Sequence, residues 1–242
     1  MEVEEFIRGL AFKKIQPDTP LSELERIPVF RKPDLESVKL EIENTILPDR
    51  QTALKESLYK ICLLPRMSTF AIGCIINQAV YLMPRECAYV NVGVWHGFTF
   101  FAGMVNNPDK KCIGIDNFSE FNGPRKKFLL RFTHYKSACH FFYNMDYEDY
   151  FQRVHRELIG VYMYDGAHDY DNQLKGLRLA EPYFSRGCII LVDDINWEEP
   201  RSATLDFINN SSHEYEIILD KQTSENRNPT LWNGIMILKK IS

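Results

Sequence analysis

Polar side chains that could bind a ligand or move a proton follow four apolar runs of the sequence, which we interpret as buried strands. They are Asn91 with Gly93, Asp116, Asp165 with His168, and Asp193 with Asp194. The carboxyl ends of parallel strands meet at one edge of an open sheet, where ligands bind. Carboxylates there can accept hydrogen bonds from ligand hydroxyls, and a histidine can take a proton near neutral pH. Each acid alone could equally cap a helix, so the inference depends on their convergence.

A glycine turn joins the first of these strands to the next helix. Residues 87–92 are predicted to form the strand, and Gly93 and Gly97 the turn. Asp116 ends the following strand, 19 residues after Gly97, where an acid can accept both hydroxyls of a ribose. The spacing G-x-x-x-G differs from the G-x-G-x-x-G pattern that places a pyrophosphate on a helix N-terminus. It is more typical of an adenosine ligand without phosphates, and S-adenosylmethionine is the common one.

Two segments of this region resemble the macrocin-type O-methyltransferases, which are class I S-adenosylmethionine-dependent methyltransferases. They are VGVWHG and the later IDNFSEF. The resemblance implies a Rossmann-like α/β fold, with a seven-stranded sheet, helices on both faces and an N-terminal helical extension. It implies S-adenosylmethionine as cofactor, bound by Asn91, Gly93, Gly97, Asp116, Asn117, Asp146 and Asp165. Such enzymes usually carry an acid where this chain has Asn91, which accepts a hydrogen bond but places no negative charge opposite the sulfonium.

Two further contacts to the cofactor follow from the same resemblance, and each has a structural alternative. Asp146 follows the third strand, where class I methyltransferases often recognise the adenine amino group, although it could equally cap the next helix. Ser68 and Thr69 precede a predicted helix. They could contact the carboxylate of the cofactor, or they could cap that helix.

The segments YDGAHDY and ILVDDINW also resemble small-molecule O-methyltransferases. In those families acids at the positions of Asp165, Asp193 and Asp194 hold a divalent cation, and carboxylate oxygens suit Mg²⁺. A bound ion would lower the pKa of a substrate hydroxyl. The alternative is that Asp193 and Asp194 only shape the turn after their strand, and many relatives with a DGxHxY segment need no metal.

His168 and Asp165 are the candidate catalytic residues. His168 is the candidate general base for the hydroxyl proton, because its intrinsic pKa lies near working pH. The alternative is a loop histidine that orients an aspartate. Methyl transfer needs in-line positioning and a deprotonated oxygen, so no nucleophilic Ser or Cys is expected.

Strands and helices alternate along the chain in the order that this fold requires. Predicted strands cover 87–92, 111–116, 139–143, 160–164, 188–192, 215–219 and 232–238. Predicted helices between them cover 98–105, 125–138, 147–156, 169–184 and 198–209. The polar loop 221–230 suits an antiparallel hairpin between the last two strands.

Residues 1–65 are predicted to form a partly helical N-terminal extension, and residues 66–242 the methyltransferase domain. Four prolines punctuate residues 1–33, where we expect little regular structure. Helices are expected over 34–46, 52–62 and 68–83, the first with Leu35, Val38, Ile42 and Ile46 on one face. In the resembled family such a segment covers the active site or builds a dimer contact, so a homo-oligomer is one expectation.

The composition of the chain limits the kinds of partner and the cellular location that we expect for this protein. A net charge of −4 argues against nucleic acid, and the longest apolar stretch, 70–83, is too short to span a membrane. The six cysteines show no C-x-x-C spacing, and the N-terminus lacks an apolar signal segment, so a cytoplasmic protein with reduced thiols is expected.

These observations lead to one main functional hypothesis and two alternatives. The main one is S-adenosylmethionine-dependent O-methylation of a small hydroxylated acceptor, such as a sugar or secondary metabolite. Asn91 favours the alternative of a non-catalytic binding or assembly protein with this fold. A nucleotide-dependent oxidoreductase is disfavoured by the missing third glycine.

Overall fold

The computed structural model describes residues 2–20, 34–48 and 52–242. Its N-terminal part contains short helices and a two-stranded antiparallel ribbon. In chain order the elements are α1 (Val3–Gly9), β1 (Ala11–Phe12), α2 (Leu35–Asn44), β2 (Thr45–Ile46), α3 (Thr52–Cys62) and α4 (Phe70–Leu82). The predicted division of the chain between residues 65 and 66 stays a prediction.

A sheet of seven strands forms the centre of the rest of the chain. The strands are β3 (Ala88–Val92), β4 (Lys111–Ile115), β5 (His140–Tyr143), β6 (Ile159–Tyr164), β7 (Phe184–Asp193), β8 (Tyr215–Lys221) and β9 (Ile235–Lys240). Their order is β5-β4-β3-β6-β7-β9-β8. The first five are parallel, and β9 runs antiparallel to both β7 and β8. The predicted sheet and its closing hairpin are therefore confirmed.

Helices cover both faces of this sheet, as predicted. They are α5 (Phe98–Met104), α6 (Arg125–Tyr135), α7 (Tyr147–Arg153), α8 (Tyr170–Ala180) and α9 (Glu198–Asn210). The central strand β3 is buried at every position. Its Tyr89 packs in one hydrophobic cluster with α4 and α5, and its Val90 packs in a second cluster with α7 and α8. Burial on both sides explains why the parallel strands are almost continuously apolar.

Helix α1 contradicts the expectation of little regular structure before residue 33. Its Phe6 and Ile7 are buried in the first hydrophobic cluster, and Glu2 and Glu5 form a reciprocal capping box. Seven residues are too few to show a clear helical period, so tertiary burial decides this helix. Within residues 10–20 the only regular element is the two-residue strand β1, and residues 21–33 lie outside the described residues.

The predicted buried face of α2 is wrong at both ends. Val38 is buried, but Leu35 and Ile46 are exposed, at 54% and 42%, and Ile46 belongs to β2. The helix buries the charged Glu41 instead. Burial of a carboxylate requires a partner that hydrophobic periodicity does not show.

Several element ends also differ from prediction. Helix α8 stops at Ala180, where a 3₁₀ turn containing Pro182 takes over, because proline cannot donate to the helix. Helix α6 ends at Tyr135, three residues before the predicted end. Strand β9 starts at Ile235, after Trp232 and Gly234 adopt positive φ.

The N-terminal segment is tied to the loop between β8 and β9. The carbonyl of Pro17 accepts from the Ser224 amide at 2.8 Å, and the carbonyl of Thr19 accepts from the Ser224 hydroxyl at 2.6 Å. Asn228 also donates to Pro17, at 3.3 Å. In the described part of the chain, we find no helix long and apolar enough to cross a membrane.

Candidate active site

The cleft lies where the strand order reverses, between β3 and β6. Gly93, after β3, has φ +80°, and a Cβ there would lie 1.9 Å from the carbonyl oxygen of Asp165, after β6. Only glycine lets the two chain segments approach this closely. The cleft above them encloses about 1080 Å³. A single small-molecule site usually encloses about 300–1,000 Å³, so this cleft is large enough for a cofactor and a second molecule.

Asp116 holds the glycine turn in place. Its Oδ2 accepts from the backbone amides of Val94 and Trp95 at 2.9 and 2.8 Å, and its Oδ1 accepts from the Phe118 amide at 2.6 Å. Trp95 adopts φ +42°, a conformation that the bond to Asp116 helps to hold. Asp116 lines the cleft as predicted, and each carboxylate oxygen has lone pairs for further donors. Its contact with a ribose stays a prediction.

Asn91 lies fully buried below the turn. Its Oδ1 accepts from the Tyr89 hydroxyl at 3.2 Å, and its Nδ2 lies 3.3 Å from the carbonyl oxygens of Val92 and Gly93. An amide can donate to these carbonyls, whereas an ionised acid cannot. Asn91 therefore braces the turn, and its predicted cofactor contact stays a prediction.

Asp146, the predicted adenine-binding residue, and Asn117, another predicted cofactor-binding residue, lie side by side in the lining of the cleft. Asp146 caps α7, because its Oδ1 accepts from the Glu148 amide at 2.8 Å. Its Oδ2 accepts from Asn117 Nδ2 at 3.2 Å. Capping, the structural alternative for Asp146, is thus present, and both residues also line the cleft.

The acids after β6 and β7 converge on His168. Its Nε2 lies 3.4 Å from Oδ2 of Asp194 and 3.8 Å from Oδ1 of Asp165. The edge of the Trp197 ring packs on the imidazole, with centroids 5.9 Å apart. Asp194 adopts φ +56°. The structure thus brings together Asp165, His168 and Asp194, which the sequence placed at two separate strand ends.

Burial raises the pKa values of the three acids, and mutual repulsion adds to the rise for Asp165 and Asp194. Burial, and then the charges of Asp193 and Asp194, hold the pKa of Asp165 well above its usual range. Burial also raises the pKa of Asp193, against the opposing effect of His168. The pKa of Asp194 rises to about 7 through burial and the charge of Asp193, while His168 and Asn233 oppose the rise. Groups with such perturbed pKa values are typical of functional sites.

The donor set suits a hard divalent cation. Among the described residues, Asp165, His168 and Asp193 offer ligand atoms that all lie within 4.8 Å of one another. Oδ1 of Asp193 is buried and has no hydrogen-bond partner in the same part of the chain. A buried carboxylate oxygen of this kind needs a partner, and a cation beside it would also relieve the mutual repulsion. The residues therefore fit a metal, although Asp194 lies outside this set and directs one oxygen to Asn233.

Residues from the β8–β9 loop complete the cleft, and the sequence did not indicate them. Asn233 donates from Nδ2 to Oδ1 of Asp194 at 2.7 Å and accepts at Oδ1 from the Arg227 amide at 2.7 Å. Glu225 and Trp232 also line the cleft. A polar hairpin loop carries no local signal that it will fold back over the ends of distant strands.

The imidazole of His96, in the glycine turn, forms a hydrogen bond with Arg131. Nη1 of Arg131 lies 2.6 Å from its Nδ1. Burial, and the charges of Arg131 and Lys127, lower the pKa of His96 to about 4. The imidazole is therefore neutral near pH 7 and accepts from the guanidinium.

Comparisons with known proteins place the fold among methyltransferases. Residues 90–195 match a family described as a methyltransferase domain, while the search of curated proteins gave no match. The Bacillus cereus O-methyltransferase, solved in complex with SAH, is 14% identical, with a TM-score of 0.55 over 81% of this chain and 94% of its own. The O-methyltransferase TomG from Streptomyces achromogenes, solved with SAM, is 11% identical, with a TM-score of 0.52 over 79% and 91%.

A third neighbour acts on a different substrate class. An rRNA methylase from Streptococcus thermophilus is 12% identical, with a TM-score of 0.51 over 69% of this chain and 94% of its own. At such identities the likeness shows the fold alone. The fold is that of the class I S-adenosylmethionine-dependent methyltransferases, and residues 90–195 match the methyltransferase-domain family. The predicted resemblance to the class I S-adenosylmethionine-dependent methyltransferases is confirmed.

Proposed function

We propose that this protein transfers a methyl group from S-adenosylmethionine to a hydroxyl oxygen of a small molecule. The observation that carries the proposal is the cluster of Asp165, His168, Asp193 and Asp194 beside the glycine turn, in one cleft. It combines a candidate base with carboxylates that suit a cation. Two neighbours with this fold were solved with SAM or SAH, which supports the same cofactor here.

The glycine-turn end of the cleft is the proposed cofactor site. Asp116 would accept from the ribose hydroxyls, and the backbone at Gly93 and Gly97 would approach the ligand closely. Asn117 and Asp146 would contact the adenosine from the rim. This arrangement leaves the part of the cleft near His168 and Trp197 for the acceptor.

His168 is the proposed general base. Its Nε2 faces Asp165 and Asp194, so a proton taken there would form an imidazolium that two carboxylates stabilise. Trp197 would fix the orientation of the ring. A divalent ion, when bound by Asp165 and Asp193, would lower the pKa of the acceptor hydroxyl. The chain itself supplies in-line positioning and exclusion of water.

The charge of the cleft favours a small acceptor over RNA. Besides the central acids, Glu120, Glu199 and Glu225 line it, and the whole chain carries a net charge of −4. A phosphate backbone would meet repulsion there, since nucleic-acid binding requires clustered cations.

The six free cysteines, five of them buried, support the expected cytoplasmic location. A homo-oligomer stays a prediction.

Calorimetric titration with SAH, with and without Mg²⁺, tests the cofactor assignment. We expect micromolar binding, followed by methyl transfer to members of a panel of hydroxylated acceptors. Absence of binding in both conditions would overturn the proposal.

Asp193→Ala tests the metal assignment separately. We expect it to remove Mg²⁺-dependent turnover while leaving affinity for SAH within about twofold, because Asp193 lies at the acceptor side of the cleft. Turnover that EDTA leaves unchanged in the wild-type protein would refute the role of the metal.

A non-catalytic binding or assembly protein is the second candidate, and the structure of Asn91 favours it. Its amide is committed to the turn and places no charge opposite a sulfonium. Tight binding of SAH without turnover on any acceptor would support this candidate. Asn91→Asp would then be expected to raise affinity for S-adenosylmethionine relative to SAH, because only the former carries the sulfonium charge.

A further inference from the structure

The side-chain amide of Gln173, in α8, is buried and unpaired. The residue has no exposed surface, and neither its Nε2 nor its Oε1 has a hydrogen-bond partner within the described ranges. Burial of an amide without partners is unfavourable. A leucine or methionine would fill a similar volume without this cost, so packing alone does not explain a glutamine at this position.

The packing of α8 directs this amide towards the loop that carries His168. Gly176, on the buried face of α8, lies directly against β6, because a Cβ there would be 2.2 Å from the ring of Tyr164. Its carbonyl also accepts from the Tyr162 hydroxyl at 2.8 Å. Gln173 lies on the same face, nearly one turn closer to the start of the helix, and helical side chains lean towards that end. The amide therefore points to the loop between β6 and α8.

His168, in that loop, has a buried ring nitrogen without a partner. Its Nε2 faces Asp165 and Asp194, whereas Nδ1 is buried and makes no hydrogen bond to the described residues. Asp169 is the N-cap of α8, so His168 immediately precedes the cap and Gln173 is the fourth helical residue. Side chains at these two positions often pack against each other. The two unpaired groups are therefore placed to share a hydrogen bond, either directly or through one enclosed water.

Few other groups compete for this amide. The hydroxyls of Tyr162 and Tyr164, which β6 directs towards α8, already donate to backbone carbonyls. The other buried, unpaired side-chain atoms of the described residues are Oγ of Ser68 and Oδ1 of Asp193. Ser68 precedes α4, which packs in the first hydrophobic cluster, whereas α8 packs in the second. Asp193 belongs to the donor set for a cation. The imidazole of His168 is thus the unpaired neighbour that remains.

We propose that Gln173 orients His168 by accepting the Nδ1 proton at Oε1, directly or through one water, which leaves the lone pair on Nε2. The inference rests on the proposed function, in which Nε2 takes the proton of the acceptor hydroxyl. The hydrogen bond at one ring nitrogen of a neutral histidine decides which nitrogen carries the proton. Oε1 would accept from Nδ1 both before and after Nε2 takes its proton, so the ring keeps its orientation. Gln173 does not line the cleft, so it acts through His168 as a positioning residue.

Nitrogen-15 NMR of the folded protein, at alkaline pH and without metal or cofactor, tests this tautomer directly. The signals of His168 are assigned by their loss in His168→Asn. We expect the wild-type protein to carry the ring proton mainly on Nδ1. Gln173→Met keeps the size of the side chain but removes the acceptor, so the proton should move to Nε2, where Asp165 and Asp194 accept it. Gln78→Met, at a buried position of α4, is the matched control and should leave the tautomer unchanged.

Gln173→Glu separates acceptance by this side chain from donation. An ionised carboxylate can accept from Nδ1 but cannot donate to it, so Gln173→Glu should keep the proton on Nδ1. If the amide instead donated to Nδ1, the proton would lie on Nε2 in the wild-type protein as well, and that result would overturn the inference. Thermal unfolding of each variant monitors the fold.

Turnover should follow the tautomer. On an acceptor from the panel, we expect Gln173→Met to lower kcat by about tenfold or more, the usual loss for a hydrogen bond to a charged group. The KM for S-adenosylmethionine should stay within about twofold, because Gln173 lies outside the cleft lining. A change in KM alone, or a loss of stability with unchanged kcat, would show that Gln173 is only structural.

The outcomes separate this inference from the proposed function. An identical tautomer in the wild-type protein and Gln173→Met would overturn the role of Gln173 while leaving the proposed function in place. A tautomer that responds as expected, in a protein that binds no SAH and methylates no acceptor, would overturn the proposed function and leave the contact between Gln173 and His168 standing.

Discussion

At the scale of single residues, Asp116 shows how one carboxylate can serve both backbone and ligand. It accepts from three backbone amides, two in the glycine turn and one in the next loop. Its lone pairs are not exhausted by these bonds. The residue therefore couples the shape of the turn to whatever binds above it.

Replacing Asp116 by alanine is expected to abolish cofactor binding. The ribose would lose its acceptor and the turn its restraint, so affinity for SAH should fall by at least about 100-fold in a calorimetric titration. Asp34→Ala is the control. Asp34 also accepts a backbone amide, from Ser37 at 2.8 Å, but it caps α2 away from the cleft. Unchanged affinity in Asp116→Ala would contradict the assignment.

The lowered pKa of His96 predicts that the folded protein loses stability in acid. Its pKa is about 4 in the folded protein and about 6.5 in an unfolded chain. Below about pH 6.5 the unfolded state therefore binds a proton that the folded state does not, and stability falls as the pH drops towards 4. Burial lowers the pKa values of His140 and His155 as well.

Comparison with His96→Gln isolates this contribution. The raised pKa values of the clustered aspartates act in the opposite direction in both proteins, so they cancel in the difference. Urea unfolding at pH 7.5 and pH 5 should show a smaller acid loss for the variant than for the wild-type protein. Equal losses would indicate that His96 accepts a proton in the folded state.

At the scale of elements, the contact between the turn after β3 and the turn after β6 requires Gly93. Gly187 provides a matched control, since its φ of +81° is similar but a Cβ there would meet nothing within 4 Å. Gly187→Ala should cost only the backbone strain, about 1–2 kcal/mol. Gly93→Ala should cost more in urea unfolding and should also weaken SAH binding. Equal destabilisation would show that the close approach to Asp165 is not limiting.

The sequence predicted most elements because their apolar runs and turns are local signals. Strand β4 and helix α9, for example, begin where they were predicted to begin and end within one residue of the predicted end. Helix α1 was missed because its burial against distant elements decides it. The convergence of Asp165, His168, Asp193 and Asp194 was predictable, because the ends of parallel strands must meet. The contribution of Asn233 was not, because it depends on a contact between segments far apart in the chain.

At the scale of the whole molecule, the burial of apolar side chains holds the N-terminal segment on the rest of the protein. Phe6 is fully buried, whereas the ion pair of Arg8 with Glu216 is largely exposed, at 65% and 46%. Phe6→Ala should therefore lower the free energy of unfolding by about 3–5 kcal/mol, and Arg8→Ala by less than about 1 kcal/mol. Denaturant unfolding measures both. Similar losses would mean that the ion pair carries the attachment.

The bonds from residues 17 and 19 to the β8–β9 loop also bear on synthesis of the chain. Thr19 and Ser224 lie 205 positions apart, and the same loop supplies Asn233 to Asp194. During translation, residues 17 and 19 are synthesised long before the β8–β9 hairpin leaves the ribosome. Until then these residues lack their hydrogen-bond partners. Contacts of such long range slow folding and leave apolar surface exposed for longer. The cleft wall is therefore among the last parts of the nascent protein to be completed.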